Sequence, residues 1–527
     1  MELQVINITC NFCFLLTEKQ GFIAIFVPQI RDMTIGKLSL YIGIAALILT
    51  VAIIFANKKN KSWWMSFLQN FSGLLFIFSG LVKAVDPLGT AYKMEQYFAE
   101  FETTFAATKA AFLAPMFPWL SEYSIGFSVF MIVLEIILGI MLVLGSKPKL
   151  TAWLFLLIVL FFTFLTGFTF LTGYVPQGVN FFDFSQWAAY KDTNMKVTDC
   201  GCFGDFLKLE PRISFFKDLI LLIPAILFVL KSSLMHRLLT SNVRNWILGI
   251  SVIGLLYYCM SNYVWDIPNY DFRPFKKGAN IAQKYKEEKD AEASVKIIAL
   301  VMKNKNTGET IEVPYETYMS NYKDYPQEVF ETIDQIKTEP TVPHSKISDF
   351  VIEDYEGSDV TDTYLNNDQY HFMIVSHKSY LSSSSESSMV TDSIFSVDTI
   401  VNGDKVELVR SLDTVLTKEV INTTFTFDES YIEDFKGEFH DFLAAALKDG
   451  HEVSFVLGGL STDAAKAFEK EMDLEGAYYF TADNILLKTI VRSNPGIVLW
   501  KDGIILDKWH KKQLPSYEKV KETYIKE

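Results

Sequence analysis

Hydrophobic and polar positions divide this chain of 527 residues into two halves. Residues 35–262 consist mainly of long apolar runs, whereas residues 263–527 have the mixed composition of a soluble domain. A helix needs about 20 mostly apolar residues to cross a bilayer. Six stretches reach or nearly reach that length: 35–56, 67–85, 123–145, 151–173, 214–230 and 245–265. We therefore predict an α-helical membrane bundle of about six transmembrane helices, with the lipid bilayer as its first partner.

Basic residues in the connections indicate how these helices are oriented. Loops 57–61, 146–149 and 231–244 are rich in Lys and Arg, and such loops stay in the cytoplasm. The three loops fall on one side if all six helices cross. Loops 86–122 and 174–213, the N-terminus and the chain after Trp265 are then on the other side. We expect a multi-pass protein of a bacterial inner membrane with a periplasmic C-terminal domain.

The net charge of -14 lies mostly in the second half of the chain. Binding to phosphate backbones needs a basic surface, so nucleic acid is excluded as a partner.

Ionisable residues inside a membrane span are costly and are therefore candidates for function, and three of those in the predicted spans are singled out. Glu135 is near the middle of its span, and Lys83 and Asp218 are near the outer ends of theirs. A Lys83–Asp218 pair is geometrically possible; alternatively, Lys83 reaches the interface and Asp218 caps a helix near Ser214. Glu135 marks either helix packing or a path for an ion or small molecule. Four threonines spaced by three residues predict a helix-packing face with hydroxyls bonded to their own backbone: Thr163, Thr166, Thr169 and Thr172.

All five cysteines fall outside the cytoplasm in this topology. Cys200 and Cys202 are one residue apart, Cys259 is near the outer end of the last span, and Cys10 and Cys13 precede the first span. Paired thiols in an oxidising periplasm tend to be disulfides or exchange partners.

The pair Cys200 and Cys202 admits three interpretations. The first is a redox-active pair, for which Gly201 and Gly204 allow the tight turns that are needed. The second is a structural role, either as a disulfide between one of the two cysteines and Cys259 or as a pair of buried thiols. A metal site is the third, but two thiolates without nearby histidines leave a zinc site half built, so no metal is predicted.

Two motifs in the membrane half resemble the DoxX/MauE family: 79-SGLVKAVDPLGTAYK-93 and 199-DCGCFGD-205. The resemblance covers about residues 60–235, including four of the spans, and is closest to the long members of Bacteroidota type. It implies a four-helix core that serves periplasmic thiol–disulfide or quinone-linked electron transfer. It also implies Cys200 and Cys202 as the exchanging pair, with quinone as a candidate cofactor and a periplasmic or membrane protein as partner.

The second half begins with a lysine- and glutamate-rich linker. Residues 295–313 alternate about an Asn-Thr-Gly turn and predict a β-hairpin, and the pattern of 326–337 predicts a helix. We interpret 382–388, which is nearly all serine, as a flexible polar loop, and 390–433 as an insertion with short β-prone runs.

From residue 346 the order of predicted elements is informative. Strands are predicted at 370–376, 452–459 and 494–509, with helices at 434–450, 462–473 and 515–526. This order resembles a thioredoxin-like domain of the TlpA branch, with Pro495 at the position of its cis-proline. The family's Cys-x-x-Cys should follow strand 370–376, but no cysteine occurs between 260 and 527. The domain therefore cannot perform thiol exchange itself, and the resemblance implies partner binding instead.

The sequence thus predicts a redox-associated membrane protein with a non-catalytic thioredoxin-like domain. The alternative is a membrane-anchored scaffold or complex subunit without catalytic activity, and the sequence leaves open whether the chain is an enzyme. The expected divisions are 1–62 with the first transmembrane helix, 63–235 as the DoxX/MauE-like domain, 236–265 with the last helix, 266–345 as linker and small β segment, and 346–527 as the thioredoxin-like domain.

Overall fold

The computed structural model describes residues 33–56, 62–197, 199–402 and 405–525. Cys10 and Cys13 lie outside the described residues. The chain divides into two compact units, Met1–Phe272 and Arg273–Glu527.

The first unit is helical. Its helices are α1 Ile35–Ala56, α2 Trp63–Val85, α3 Pro87–Ala106, α4 Met116–Glu122, α5 Ser124–Leu144, α6 Pro148–Thr172, α7 Pro211–Leu230 and α8 Ser241–Met260. A π-helical turn, Ser261–Trp265, extends α8. Six of these helices, all except α3 and α4, are long and apolar enough to cross a membrane. They correspond to the six predicted spans, so the unit has the character of a multi-pass membrane protein.

Helices α3 and α4 fill most of the connection 86–122, which the hydropathy pattern leaves unassigned. Asp86 and Pro87 explain where α3 begins, because the Asp86 carboxylate accepts a hydrogen bond from Gly89 N at 3.0 Å and proline suits a first helical position. Tyr97 and Phe101 form its buried face.

Helices α2 and α5 approach each other at glycines. A Cβ on Gly73 would lie 2.8 Å from the Gly139 carbonyl oxygen, and one on Gly139 would lie 2.6 Å from the Gly73 carbonyl oxygen. Small residues let helix backbones come this close in membranes. The contact brings the polar residues farther along the two helices face to face.

The second unit contains two sheets and a two-stranded ribbon. Its strands are β1 Ile297–Asn304, β2 Thr310–Pro314, β3 Phe330–Lys337, β4 His371–Ser376, β5 Leu381–Asn402, β6 Lys405–Phe427, β7 Glu452–Gly458, β8 Tyr478–Ala482, β9 Gly496–Lys501 and β10 Ile504–His510. Its helices are α9 Ile281–Ala293, α10 Tyr315–Ser320, α11 Thr361–Leu365, α12 Glu429–Glu433, α13 Glu438–Lys448, α14 Thr462–Met472, α15 Asn484–Ile490 and α16 Tyr517–Tyr524.

The small sheet has the order β2-β1-β3. Strands β1 and β2 form the predicted hairpin. The predicted helix at 326–337 is wrong, because most of that segment is β3, which pairs antiparallel with β1. Phe330, Ile333 and Ile336 recur every three residues, which imitates a helix, but pairing with the free side of β1 decides the conformation.

The larger sheet has the order β10-β9-β4-β7-β8. Strands β4, β7 and β8 are parallel, whereas β9 pairs antiparallel with both β4 and β10. Every residue of β4 is buried. The hydrophobic core that includes this sheet is aromatic, with Phe372, Phe435, Phe455 and Phe468 almost fully buried. The peptide bond between Asn494 and Pro495, just before β9, is cis.

Strands β5 and β6 pair antiparallel with each other as a long ribbon. The interpretation of 382–388 as a flexible loop is therefore wrong, since these serines lie in β5 opposite Val420–Thr426 of β6. Cross-strand hydroxyl contacts, such as Ser385 to Thr423 at 3.0 Å, support the pairing. Most described residues of the insertion predicted at 390–433 thus lie in these two paired strands.

Candidate functional site

The Cys-Gly-Cys turn lies in the connection between α6 and α7. Gly201 and Gly204 both have left-handed backbones, with φ of 61° and 53°. The Asp199 carboxylate accepts a hydrogen bond from Gly201 N at 3.0 Å, and Gly204 N donates to the Gly201 carbonyl at 3.1 Å. A Cβ on Gly201 would press against Lys93 Cγ at 3.2 Å. Glycine is therefore needed at Gly201 for both its conformation and its space.

The turn brings the two sulfur atoms together. Cys200 Sγ and Cys202 Sγ are 2.9 Å apart, and both residues are half-buried free thiols. A disulfide bond is about 2.05 Å long, so bond formation needs a relative movement of only about 0.9 Å. This arrangement allows reversible oxidation within the pair.

Two helices of the bundle hold the turn. Cys200 Sγ lies 2.8 Å from the buried hydroxyl of Ser214 in the first turn of α7. Ser79 of α2 donates a hydrogen bond to the Cys202 carbonyl at 2.8 Å. Neither serine stands out in the sequence; the only signal is that Ser214 is four residues before Asp218 and hence on the same helix face.

The two thiols differ in acidity. The hydrogen bond with Cys202 is the main cause that lowers the pKa of Cys200 to about 7; burial opposes it, and the Ser214 hydroxyl and the Lys217 charge assist it. The same hydrogen bond and burial raise the pKa of Cys202 well above its usual value. The pair thus shares one proton near neutral pH, with Cys200 as the thiolate and Cys202 as the donor.

Asp218 lies next to this site and has two partners. Its carboxylate forms an ion pair with Lys217 and accepts a hydrogen bond from Thr166 of α6 at 3.0 Å. Lys217 Nζ is also 5.8 Å from the centre of the Phe203 ring. Phe203 directly follows Cys202 in the chain. Sequence reasoning selected Asp218 but missed its neighbour Lys217, although both lie in the predicted span 214–230.

Lys83 and Glu135 form a second buried ion pair. Lys83 Nζ is 2.6 Å from Glu135 Oε2 and 4.9 Å from the centre of the Phe162 ring. The suggested Lys83–Asp218 pair is therefore wrong. The close packing of α2 on α5 gives Lys83 a nearer carboxylate, and Asp218 is occupied by Lys217 and Thr166.

The threonine series of α6 behaves as predicted. Each hydroxyl donates to a carbonyl three or four residues earlier at 2.7–3.0 Å. Three of them also make contacts outside the helix. Thr166 binds Asp218, Thr169 is 2.6 Å from Tyr97 Oη, and Thr172 accepts a hydrogen bond from Lys196 N.

Cys259 does not join the cysteine pair. It is a buried free thiol in an apolar cluster with Ala84, Ile132 and Ile136. The suggested structural disulfide between the pair and Cys259 is therefore wrong. Among the described residues, no group of three or more His, Cys, Asp or Glu side chains is placed to hold a metal ion.

Comparison of the chain with protein-family models, with curated proteins and with solved structures gives no match.

Proposed function

We propose that this protein takes part in thiol–disulfide exchange or quinone-linked electron transfer through Cys200 and Cys202, on the periplasmic side of a bacterial inner membrane. The observation that carries the proposal is the 2.9 Å separation of the two sulfur atoms, with one thiol acidified and the other hydrogen-bonded to it. The resemblance to the DoxX/MauE family supports the same chemistry.

The difference in acidity assigns the two cysteines different steps. The Cys200 thiolate attacks one sulfur of a partner disulfide; that S–S bond breaks, a Cys200–partner bond forms and the other partner sulfur leaves as a thiolate. Cys202 then loses its proton and attacks Cys200, which closes the internal disulfide and releases the second partner thiolate. The partner gains two electrons and the pair loses two. In the reverse direction, a partner thiolate attacks Cys200 and Cys202 is the leaving group.

A lipid-soluble quinone is the proposed electron acceptor when the pair becomes oxidised without a protein disulfide. Two thiols and one quinone then give one disulfide and one quinol, so two electrons and two protons leave the pair. The quinone is a substrate in this scheme, and its proximity to the pair would follow from its solubility in the bilayer.

We infer that residues 346–527 form a degenerate thioredoxin-like domain that binds a partner. The strand order β10-β9-β4-β7-β8 supports this inference. Asn494, before the cis-proline, accepts a hydrogen bond from Ser376 at the end of β4 at 3.1 Å and donates to the Lys378 carbonyl at 2.7 Å. The family's two cysteines would follow β4, where this chain has 377-HKSY-380.

A membrane-anchored scaffold is the second candidate function. The absence of cysteine from residues 260–527 favours it, because a domain of this kind contributes binding and no thiol chemistry. In that case Cys200 and Cys202 would have no role beyond the structure of the turn.

Alkylation trapping in intact membranes distinguishes the two candidates. The variant should retain only Cys200 and Cys202, with Cys10, Cys13 and Cys259 replaced by serine. We expect the pair to move between oxidised and reduced states when the medium or the quinone pool is made oxidising or reducing. A pair that stays in one state under every condition would contradict the redox proposal and favour the scaffold.

A further inference from the structure

One face of α7 is directed at the cysteine turn. Ser214 and Asp218 are four residues apart, so they lie above one another on the helix, and both are buried. Ser214 contacts Cys200 Sγ directly at 2.8 Å. The charged pair Lys217–Asp218 therefore lies one helical turn along α7 from the serine that contacts the attacking sulfur.

Lys217 is held at this position by two contacts. Its ammonium group pairs with the Asp218 carboxylate and lies 5.8 Å from the centre of the Phe203 ring. Phe203 is almost fully buried and directly follows Cys202, which fixes the ammonium beside the turn. Asp218 is itself fixed by Thr166 of the neighbouring helix at 3.0 Å.

We propose that Lys217 is the cation that stabilises negative charge on the sulfur atoms of Cys200 and Cys202, and that Asp218 is the positioning residue that holds Lys217 there. This inference rests on the proposed exchange function of the pair. It adds a defined role for two residues outside the Cys-Gly-Cys turn.

The physical reason is the cost of charge at this depth. Each exchange step creates a thiolate, either as the attacking group or as the leaving group, and a half-buried anion is poorly hydrated. An opposite charge within about 4–6 Å lowers the pKa of such a group by about 1–3 units. Other charged or titratable groups also face the pair: Asp199 in the turn, and Lys93 and Tyr97 on α3. Lys93 pairs with the Asp199 carboxylate at 3.2 Å, so each of the two lysines near the pair has a carboxylate partner.

The test measures thiolate formation directly in the reduced, full-length protein in detergent, with Cys10, Cys13 and Cys259 replaced by serine. Alkylation of Cys200 by iodoacetamide is followed by mass spectrometry from pH 5 to pH 10. We expect Lys217→Met to move the midpoint upward by about one pH unit or more, which slows alkylation at pH 7 by about fivefold. Lys217→Arg should restore most of the rate, because it keeps the charge.

Lys208→Met is the matched control. Lys208 belongs to the same connection and is paired with Asp205 at 3.7 Å, but its side chain is 52% exposed. Its removal should leave the Cys200 midpoint unchanged. An equal shift in Lys208→Met and Lys217→Met, or no shift in Lys217→Met, would overturn the role of Lys217.

Asp218→Asn tests the positioning role, because two explanations predict opposite results. If Asp218 holds Lys217 in place, the variant loses the cation from the turn and alkylation of Cys200 slows. If Asp218 only opposes the thiolate by its negative charge, alkylation becomes faster, and the positioning role is refuted. The thiols of the reduced protein titrate whether or not the pair is oxidised and reduced in membranes. A negative result in this titration is therefore distinct from a negative result for the proposed function.

Discussion

The buried ion pair between Lys83 and Glu135 makes a quantitative prediction about the membrane unit. Lys83 Nζ and Glu135 Oε2 are 2.6 Å apart, and the two side chains are only 7% and 3% exposed. Two unit charges at that distance attract each other by about 6 kcal/mol at an effective dielectric constant of about 20. Loss of hydration offsets much of this attraction, so the intact pair contributes little net stability.

Removal of one charge has a much larger effect, because the other charge then stays buried without its partner. We expect Glu135→Gln or Lys83→Met to lower the free energy of unfolding by about 3–5 kcal/mol. The midpoint of thermal unfolding should fall by about 6–20 °C, at about 2–4 °C per kcal/mol. The double variant Lys83→Met/Glu135→Gln removes both charges and should recover most of the loss.

Cys259 provides the assay, since it is buried close to this pair against Ala84 and Ile136. In a variant whose other four cysteines are serine, a maleimide dye reacts with Cys259 only when the membrane unit unfolds. The control is Lys149→Met, which removes an exposed lysine at the start of α6. The reasoning is refuted if the single variants match the control, or if the double variant is as unstable as either single variant.

Two further predictions concern helix packing and pH. Gly139→Ala should lower the unfolding temperature in the same assay by about 2–12 °C, because its Cβ would meet the Gly73 carbonyl oxygen. Gly126→Ala on the same helix should leave that temperature unchanged, because a Cβ there meets nothing within 4 Å. Equal effects would contradict the packing argument. His371 is buried 2.7 Å from Ser454 Oγ, and burial lowers its pKa to about 3. In the unfolded chain this histidine binds a proton near pH 6.5, whereas in the folded chain it does not. The contribution of His371 to the free energy of unfolding is therefore complete above about pH 6.5. It is lost by about 1.4 kcal/mol per pH unit as pH falls toward 3. His371→Gln should flatten that slope in urea unfolding followed by circular dichroism between pH 7 and pH 4; equal slopes would contradict the assignment.

Elements set by local composition are predictable from this sequence. An apolar run of about 20 residues has few alternatives to a membrane helix, so the six spans follow from hydropathy. The continuous apolar runs at β4 and β7 likewise identify buried strands. The left-handed turns at Gly201 and Gly204 follow from the glycine spacing of the motif.

Elements set by distant partners are not predictable in this way. Strand β3 carries a three-residue apolar repeat and becomes a strand because β1 offers an unpaired side. The serine-rich start of β5 has weak local preference and gains its conformation from β6, whose residues follow much later in the chain. The partner of Lys83 depends on how closely two helices approach, which their apolar patterns do not reveal.

The geometry of the cysteine pair depends on polar contacts with the helical bundle as well as on the turn that contains the pair. Cys202 is held through its carbonyl by Ser79 of α2, and Cys200 through its thiol by Ser214 of α7. The separation of the two sulfur atoms therefore depends on the spacing of α2 and α7 in addition to the Gly201 turn. Ser79 is four residues before Lys83, so the ion pair that joins α2 to α5 also steadies the helix that holds Cys202. Buried charges that contribute little net stability can thus fix the geometry of the two sulfur atoms, on which the proposed exchange depends.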